Sequence, residues 1–334
     1  MFFIYKKAIK VLYIIIIYTQ IPITLRSDYL SEKMISVSYK DIQTGWVVLS
    51  EIEQRIKDKI EKVGIPLKDW DINIYRGVIT GFNEAFIIDN EKRKELIEKS
   101  PRSAEIIRPI LRGRDICKYS VEFADLWVIL VKFNSHKFLN EDYPAIYEHL
   151  VQYESKLKER GQCRYSRAKR VNDKLNYLGQ HHWLELDNNP KDDYLNSFLT
   201  SKIIYPNMTK YLPFVYDIEG YYINDKAFYI TGKHIEYLTV FLNSSLFKFC
   251  FVNNFPELQG GTREIRKIFL DKISVLQIDD KTNDNFNEVV LKIQSTKKEN
   301  GDTKNLEIIA DSMIFDLYKL TQEERNEIGF IEIY

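Results

Sequence analysis

The chain has 334 residues, 45% of them hydrophobic, enough for one large domain or two modest ones. Lysine plus arginine and aspartate plus glutamate both number 48, so the formal net charge is zero. That balance excludes a uniformly basic nucleic-acid coat, and any DNA-binding surface has to be local.

Residues 1–45 form an apolar N-terminal segment and linker. The run Val11 to Tyr18 is shorter than the roughly 20 residues of a membrane span. Lys6, Lys7 and Lys10 precede it as in a signal peptide, yet the bulky Ile21-Pro22-Ile23-Thr24 provides no small-x-small cleavage site. Three readings stand: a buried strand or leftover core segment of a longer parent, an uncleaved membrane-proximal segment, and a signal peptide. The first is adopted, with no membrane partner expected. A strand is expected at Ile35 to Tyr39.

A helix follows at "SEIEQRIKDKIEKVG". Ser50 stands at its N-cap with Glu53 three residues on, a capping box, and Ile52, Ile56, Ile60 and Val63 recur at helical spacing. Gly64 sits where a C-cap glycine would. Strands are expected over Trp70 to Tyr75 and Ala85 to Ile88. "KRKELIEKS" reads as a helix closed by Pro101, and "SAEIIRPIL" as a segment broken by Pro109. Ala124 to Phe133 is apolar and β-rich, and Tyr143 to Arg160 reads as one amphipathic helix.

The next stretch is basic and irregular. Lys156, Lys158, Arg160, Arg164, Arg167, Lys169, Arg170 and Lys174 stand against Glu159 and Asp173, a local charge of +6. Three strand-like segments follow, "KIIYPNM", "PFVYDIEG" and "YYINDKAFYIT", with Asp217-Ile218-Glu219-Gly220 read as a hairpin turn. "HIEYLTVFLNSSLFKFCFV" reads as a buried helix, "GGTREIRKIFLDKISVLQI" ends in a strand, and "NLEIIADSMIFDLYKL" is a last helix. There is no internal repeat. Alternating short strands and helices predict an α/β, mixed α+β domain.

The motifs of common catalysts are missing. Gly77 to Gly81 has the wrong spacing for a P-loop, and Phe82 stands in place of the lysine. The two glycines are too few for a dinucleotide fingerprint. Adjacent His181 and His182 point to different sides of any regular element, which argues against a shared metal. Asn188-Asn189-Pro190-Lys191 lacks the aromatic of the Asn/Asp-Pro-Pro-Tyr element of adenine methyltransferases. Cys117, Cys163 and Cys250 form no C-x-x-C pair, which argues against a Cys/His metal site and for a reduced, cytoplasmic setting. No catalytic residue and no metal ligand are expected.

Binding chemistry is present. Gly77 and Gly81 are read as turn glycines. A simple hairpin explains them; the functional alternative adds contacts to a ligand from Thr80, Asn83 and nearby backbone N–H groups. Arg112 and Arg114 flank Gly113, and Asp115 can orient one guanidinium. A planar fork on a glycine turn suits phosphate or guanine, against the bland alternative of an exposed charged turn. The +6 segment is either a solvated face or, with Tyr165 among its arginines, a DNA backbone track.

Five motifs in order resemble one family: "PLKDWDINIYRGVITGFNEAFIID", "SAEIIRPILRGRDICKY", "KIIYPNMTK", "YYINDKAFYITGKHIEYLTVFLNSSLFKF" and "KIFLDKISVLQI". Together they resemble the TaqI-type C-terminal specificity domain that ends type IIG restriction–modification enzymes and related N6-adenine DNA methyltransferases. The resemblance runs from Trp46 to Ile278 and weakly into the tail. It implies a target-recognition domain over residues 46–280 with a mixed sheet and short helices, followed by a helical tail over 281–334.

In that family, Gly77, Thr80, Gly81, Asn83 and Glu84 match the glycine-turn motif. Arg112, Gly113, Arg114 and Asp115 match the Arg-Gly-Arg-Asp turn, and Asn243 with Ser244 matches a helix motif expected to be packing. The resemblance implies double-stranded DNA as one partner and an adenine methyltransferase/nuclease domain or subunit as the other. S-adenosylmethionine is implied for that partner, with no cofactor bound by this chain. Phosphates are expected at Arg112, Arg114, Arg164, Arg167, Lys169 and Arg170, and base edges near Tyr165, Asn207 and Lys210. The family's catalytic domains would precede this region, where 45 residues stand, so a fragment, a split specificity subunit or a decayed gene product is expected. The rival readings are a stand-alone metal-dependent nuclease and a membrane-associated scaffold.

Overall fold

The computed structural model describes residues 50–163, 181–187 and 191–331, with the backbone alone of the strands Phe3–Ala8, Val11–Ile16, Ser36–Ser38, Ala168–Val171 and Lys174–Tyr177. Val11–Ile16 pairs antiparallel with Phe3–Ala8 on one side and Ser36–Ser38 on the other, so the apolar run is a central strand. Among the described residues no helix is long and apolar enough to cross a membrane.

Helix α1 (Glu51–Val63) starts as its capping box requires. Ser50 Oγ accepts the Glu53 N–H at 3.2 Å, and the Glu53 carboxylate accepts the Ser50 N–H at 2.5 Å. Gly64 has φ −83°, which is not left-handed. Close approach requires this glycine: a Cβ there would lie 2.8 Å from the Ser274 carbonyl carbon. Then come β1 (Ile72–Arg76), a helical turn at Asn83–Phe86, β2 (Ile87–Asp89), α2 (Asn90–Lys99), β3 (Ile107–Leu111), β4 (Leu126–Ile129), α3 (Pro144–Val151) and α4 (Glu154–Glu159). Beyond the basic segment follow β5 (Lys202–Pro206), β6 (Val215–Asp217), β7 (Tyr222–Ile223), β8 (Ala227–Gly232), α5 (Ile235–Asn243), α6 (Ser245–Phe251), α7 (Asp280–Lys298), α8 (Lys304–Leu317) and α9 (Gln322–Ile328).

Two four-stranded sheets organise the chain. The first, in the order β6-β5-β8-β1, is antiparallel throughout. The second has the order β7-β3-β4-β2, with β7 parallel to β3 and the rest antiparallel. Alternate residues of the first sheet enter different cores. Ile203, Tyr205 and Ile230 pack with Ile56, Phe241, Phe286 and Ile314 of the helices. Ile204, Val215 and Tyr229 pack with Ile110 and Val128 of the second sheet and with Leu96 and Ile146 of α2 and α3. The first sheet is therefore covered on both faces, and all five residues of β5 are buried. Lys202 is among them, with its ammonium 2.5 Å from the Asp217 carboxylate directly across the ladder and bonded to the Phe198 carbonyl.

The mixed α+β class expected from the sequence is the one observed. Several details differ. The strand expected from Ala85 begins only at Ile87, after the helical turn Asn83–Phe86. Pro109 does not break its segment but lies within β3; pairing to β7 begins at Ile110, so the missing N–H leaves no ladder bond unmade on that side. The Asp217–Gly220 turn is not a hairpin. It passes the chain from the first sheet to the second, with the Asp217 carboxylate accepting the N–H groups of Glu219 at 2.9 Å and Tyr221 at 3.1 Å. Tyr143–Arg160 is two helices, α3 and α4, broken at Gln152 and Tyr153. The buried helix after His234 is also two, because Ser244 turns extended and caps α6.

Replacing Lys202 with Met should leave the buried Asp217 carboxylate without its counter-charge, costing about 3–5 kcal/mol. Urea unfolding followed by circular dichroism measures this. A loss below about 1 kcal/mol would mean that the pair is no more than an ordinary surface ion pair.

Candidate nucleic-acid interface

The turn between β7 and β8, Asn224-Asp225-Lys226, gathers motifs that lie far apart in the sequence. Its shape is local: Asn224 Oδ1 accepts the Lys226 N–H at 3.1 Å, and the Asn224 carbonyl accepts the Ala227 N–H at 3.0 Å. Two glycines press against it. A Cβ on Gly77 would stand 2.1 Å from the Asn224 carbonyl oxygen, and one on Gly113 would stand 2.7 Å from that of Lys226. The Asn224 N–H donates to Leu111 at 3.0 Å, and the Asn207 N–H to Lys226 at 2.9 Å. The glycine turn, the Arg-Gly-Arg-Asp turn and Asn207 thus meet on one loop.

The two arginines of the Arg-Gly-Arg-Asp turn have different fates. Arg112 is bound by Asp115 in a fork, with Nη2 to Oδ1 at 2.7 Å and Nε to Oδ2 at 2.9 Å. Its own N–H also reaches Asp115 at 2.8 Å. Hydrogen bonding to Asp115, which is itself buried, raises the Arg112 guanidinium above its ordinary value. Arg114 is exposed and makes no ion pair among the described residues. With Arg112, Gly113, Asn207, Met208, Asn224 and Lys226 it lines a cleft of about 370 Å³. The Lys226 side chain is 70% exposed and lies 3.2 Å from Asp225, a carboxylate shared with Arg76 at 3.4 Å. Asn207 Oδ1 has no hydrogen-bond partner. Lys210 is exposed on the same loop as Asn207, beside exposed Met208 and Tyr211.

The glycine turn is closed rather than open. Gly77 and Val78 donate their N–H groups to Ala227 at 2.9 Å and Ile223 at 2.8 Å. Neither amide is free to bind a phosphate. Gly81 is left-handed at φ +70°. Thr80 is buried and donates its hydroxyl to Asn83 Oδ1 at 2.6 Å, which leaves Asn83 at the exposed side of the turn.

Of the basic segment, Arg160 is no surface charge. It is 5% exposed and donates to four carbonyls: Leu157 at 3.1 Å, Thr80 at 2.6 Å, and Trp183 and Glu185 both at 2.7 Å. Burial pulls its guanidinium down to about 10. Lys156 lies 5.3 Å from the Phe82 ring, and Lys158 pairs with Glu154. Lys169 and Arg170 stand on Ala168–Val171, opposite Asn176 and Leu175 of the returning strand. Arg164, Tyr165 and Arg167 lie outside the described residues. The body holds both ends of this segment: Cys163 bridges to His181, and His181 Nε2 lies 2.6 Å from Asp187 Oδ1. Among the described residues no group of three or more histidine, cysteine or acidic side chains could hold a metal ion.

The TaqI-like C-terminal specificity domain family matches residues 108–275, half of the chain. The chain belongs to that family. Among solved structures it is similar to the type IIL restriction-modification enzyme MmeI in complex with DNA, at 10% identity and a TM-score of 0.53, over 89% of this chain and 38% of that one. The type IIG restriction endonuclease BpuSI matches at 14% identity and a TM-score of 0.42, over 81% of this chain and 34% of that one. The chain therefore spans less than two fifths of either enzyme. No curated protein matches it by sequence.

Asn224 and Lys226 escaped the choice of site residues made from the sequence, and Arg160, counted there with the basic segment, is buried instead. The letters of an Asn-Asp-Lys turn were there to be read, but nothing local reveals that two glycine turns close on it. Arg112→Ala should cost about 1–3 kcal/mol, because Asp115 loses its fork. Arg114→Ala should stay within about 0.5 kcal/mol of the parent. Thermal unfolding of the two variants side by side checks this, and equal effects would contradict the division between them. Gly77→Ala should cost at least about 1–3 kcal/mol through overpacking against the Asn224 carbonyl, read in the same assay.

Proposed function

We propose that the chain is the DNA sequence-recognition module of a type IIG-like restriction–modification system. It acts with an adenine methyltransferase, as a domain or subunit, that binds S-adenosylmethionine and performs the N6 methylation. The observation carrying this reading is the convergence of Arg114, Lys226 and Asn207 on one cleft in a chain of the specificity-domain family. Exposed cations on a loop of fixed backbone suit phosphates, and an amide beside them suits base edges.

Arg114 and Lys226 neutralise phosphates, joined by Arg164, Arg167, Lys169 and Arg170 of the basic segment, while Lys210 reaches base edges. Asn207 and Tyr165 reach the bases. Arg112 and Asp115 hold the turn that presents Arg114. Zero net charge suits a module that shares its binding energy with a catalytic partner. The reduced, cytoplasmic setting expected from three widely spaced cysteines, Cys117, Cys163 and Cys250, belongs to the same reading.

Binding to a duplex of randomised sequence, measured by fluorescence anisotropy across a salt series, tests the reading. The double variant Arg114→Ala/Lys226→Ala should weaken binding across all sequences and reduce the slope of log K against log salt by about 2. An unchanged slope in a folded double variant removes the cleft from the interface. Magnesium-dependent cleavage of plasmid by the purified chain would replace the module with a nuclease.

A further inference from the structure

The segment after β5, residues 207–214, carries Asn207, Met208, Lys210 and Tyr211; its first part, Met208–Thr209, pairs with Arg263–Glu264, and the rest is held from beneath by the junction of α5 and α6. Asn243, 1% exposed, pairs with Phe214 as a strand would: its Nδ2 donates to the Phe214 carbonyl at 2.8 Å and its Oδ1 accepts the Phe214 N–H at 3.1 Å. One turn later Lys248 reaches the same loop. Its ammonium donates to the Tyr211 carbonyl at 2.7 Å and the Leu212 carbonyl at 2.5 Å.

This lysine is an unusual expenditure. It is 5% exposed and makes no ion pair among the described residues, and the nearby charge that acts on it, Lys118, is also positive. Lys118 is itself occupied by Glu307 at 2.6 Å, and the neighbouring Asp311 by Ser245 at 2.5 Å. Two carbonyls and the Phe214 and Phe247 rings, at 6.0 and 5.7 Å, are its compensation; an ammonium in a core with no carboxylate is still costly, and an apolar side chain of similar length would fill the space without that cost. The loop it holds is strained as well. Leu212 is left-handed at φ +48°, a conformation unfavourable for a leucine and more so before a proline. Tyr211 and Met208 meanwhile stand 50% and 53% exposed, although they are among the most apolar groups of the loop.

We propose that Lys248 is a positioning residue for sequence discrimination: with Asn243 it locks the strained loop 207–212 in the shape that presents Met208, Lys210 and Tyr211 to base pairs. The inference rests on the DNA-recognition reading and extends it. The asparagine-serine helix motif, expected to serve packing alone, becomes the clasp of the reading loop. General DNA affinity comes from cations elsewhere, so the clasp governs preference for one sequence over others and not binding as such.

The test compares the full chain with Lys248→Met and Lys248→Arg in three measurements: hydrogen exchange without DNA, affinity for randomised duplex, and sequence preference after selection from a randomised duplex library. Lys248→Met is expected to raise exchange at 207–214 while leaving α7 and α8 protected. Its affinity for randomised duplex should hold, and its preference for the selected site should fall by about tenfold, the worth of one base pair read. Lys248→Arg, which keeps the charge and the donors, should recover part of that preference. A folded Lys248→Met with full preference, or with unchanged exchange at 207–214, overturns the proposal. If Lys248→Met does not fold, Met208→Ala and Lys210→Ala, both on solvent-facing side chains, carry the same question, and unchanged preference in both overturns it. If the parent chain itself shows no sequence preference, the recognition reading fails and the proposed role falls with it. The exchange data still decide whether the clasp holds the loop.

Discussion

Everything at the cleft depends on three stretches of backbone approaching closer than side chains normally allow. The Asn224–Lys226 turn is touched by Gly77 on one side and Gly113 on the other, at separations where a Cβ would collide with a carbonyl oxygen. Backbone bonds from Gly77, Val78, Asn207 and Asn224 then fix the assembly. Because both glycines grip main chain, the exposed side chains of Arg114 and Lys226 are not needed to hold the turn, and the buried Asn207 Oδ1 is left without a partner. Arg112 is the exception, and its guanidinium is spent on Asp115.

The first sheet supplies the rigid floor for this arrangement. With one core on each face it cannot slide or twist without disturbing both. β5, β8 and β1 run straight from that sheet into Asn207, the Asn224–Lys226 turn and Gly77, so the cleft is set at the ends of strands rather than on a free loop. The polar groups buried nearby follow the same logic. Lys202 with Asp217, and Arg160 with its four carbonyls, are paired, as buried charged groups usually are.

What could be read from the sequence was what local chemistry decides. Ser50 and Glu53 announced α1 because a capping box lies within one turn. The apolar run of β5 and the family motifs pointed to the correct class and family. What escaped depends on contacts distant in the chain. Pro109 looked like a breaker because its partners in the sheet were unknown. The Asp217–Gly220 turn looked like a hairpin because nothing nearby says that the next strand joins another sheet. α7 did not stand out, since its buried residues are Phe286, Val290 and Ile293 in a largely polar helix. Arg160 looked like one more surface cation, and its burial is decided by carbonyls at Thr80 and Glu185.

The placement of Arg160 also bears on how such a chain can change. Its guanidinium ties the points where the basic segment leaves and re-enters the body, and the Cys163–His181 bridge closes them together. The two described ends, Cys163 and His181, are therefore held at a fixed spacing by the body itself. A change in the length of chain between two points pinned in this way adds little to the cost of closing the loop and leaves their spacing as it is.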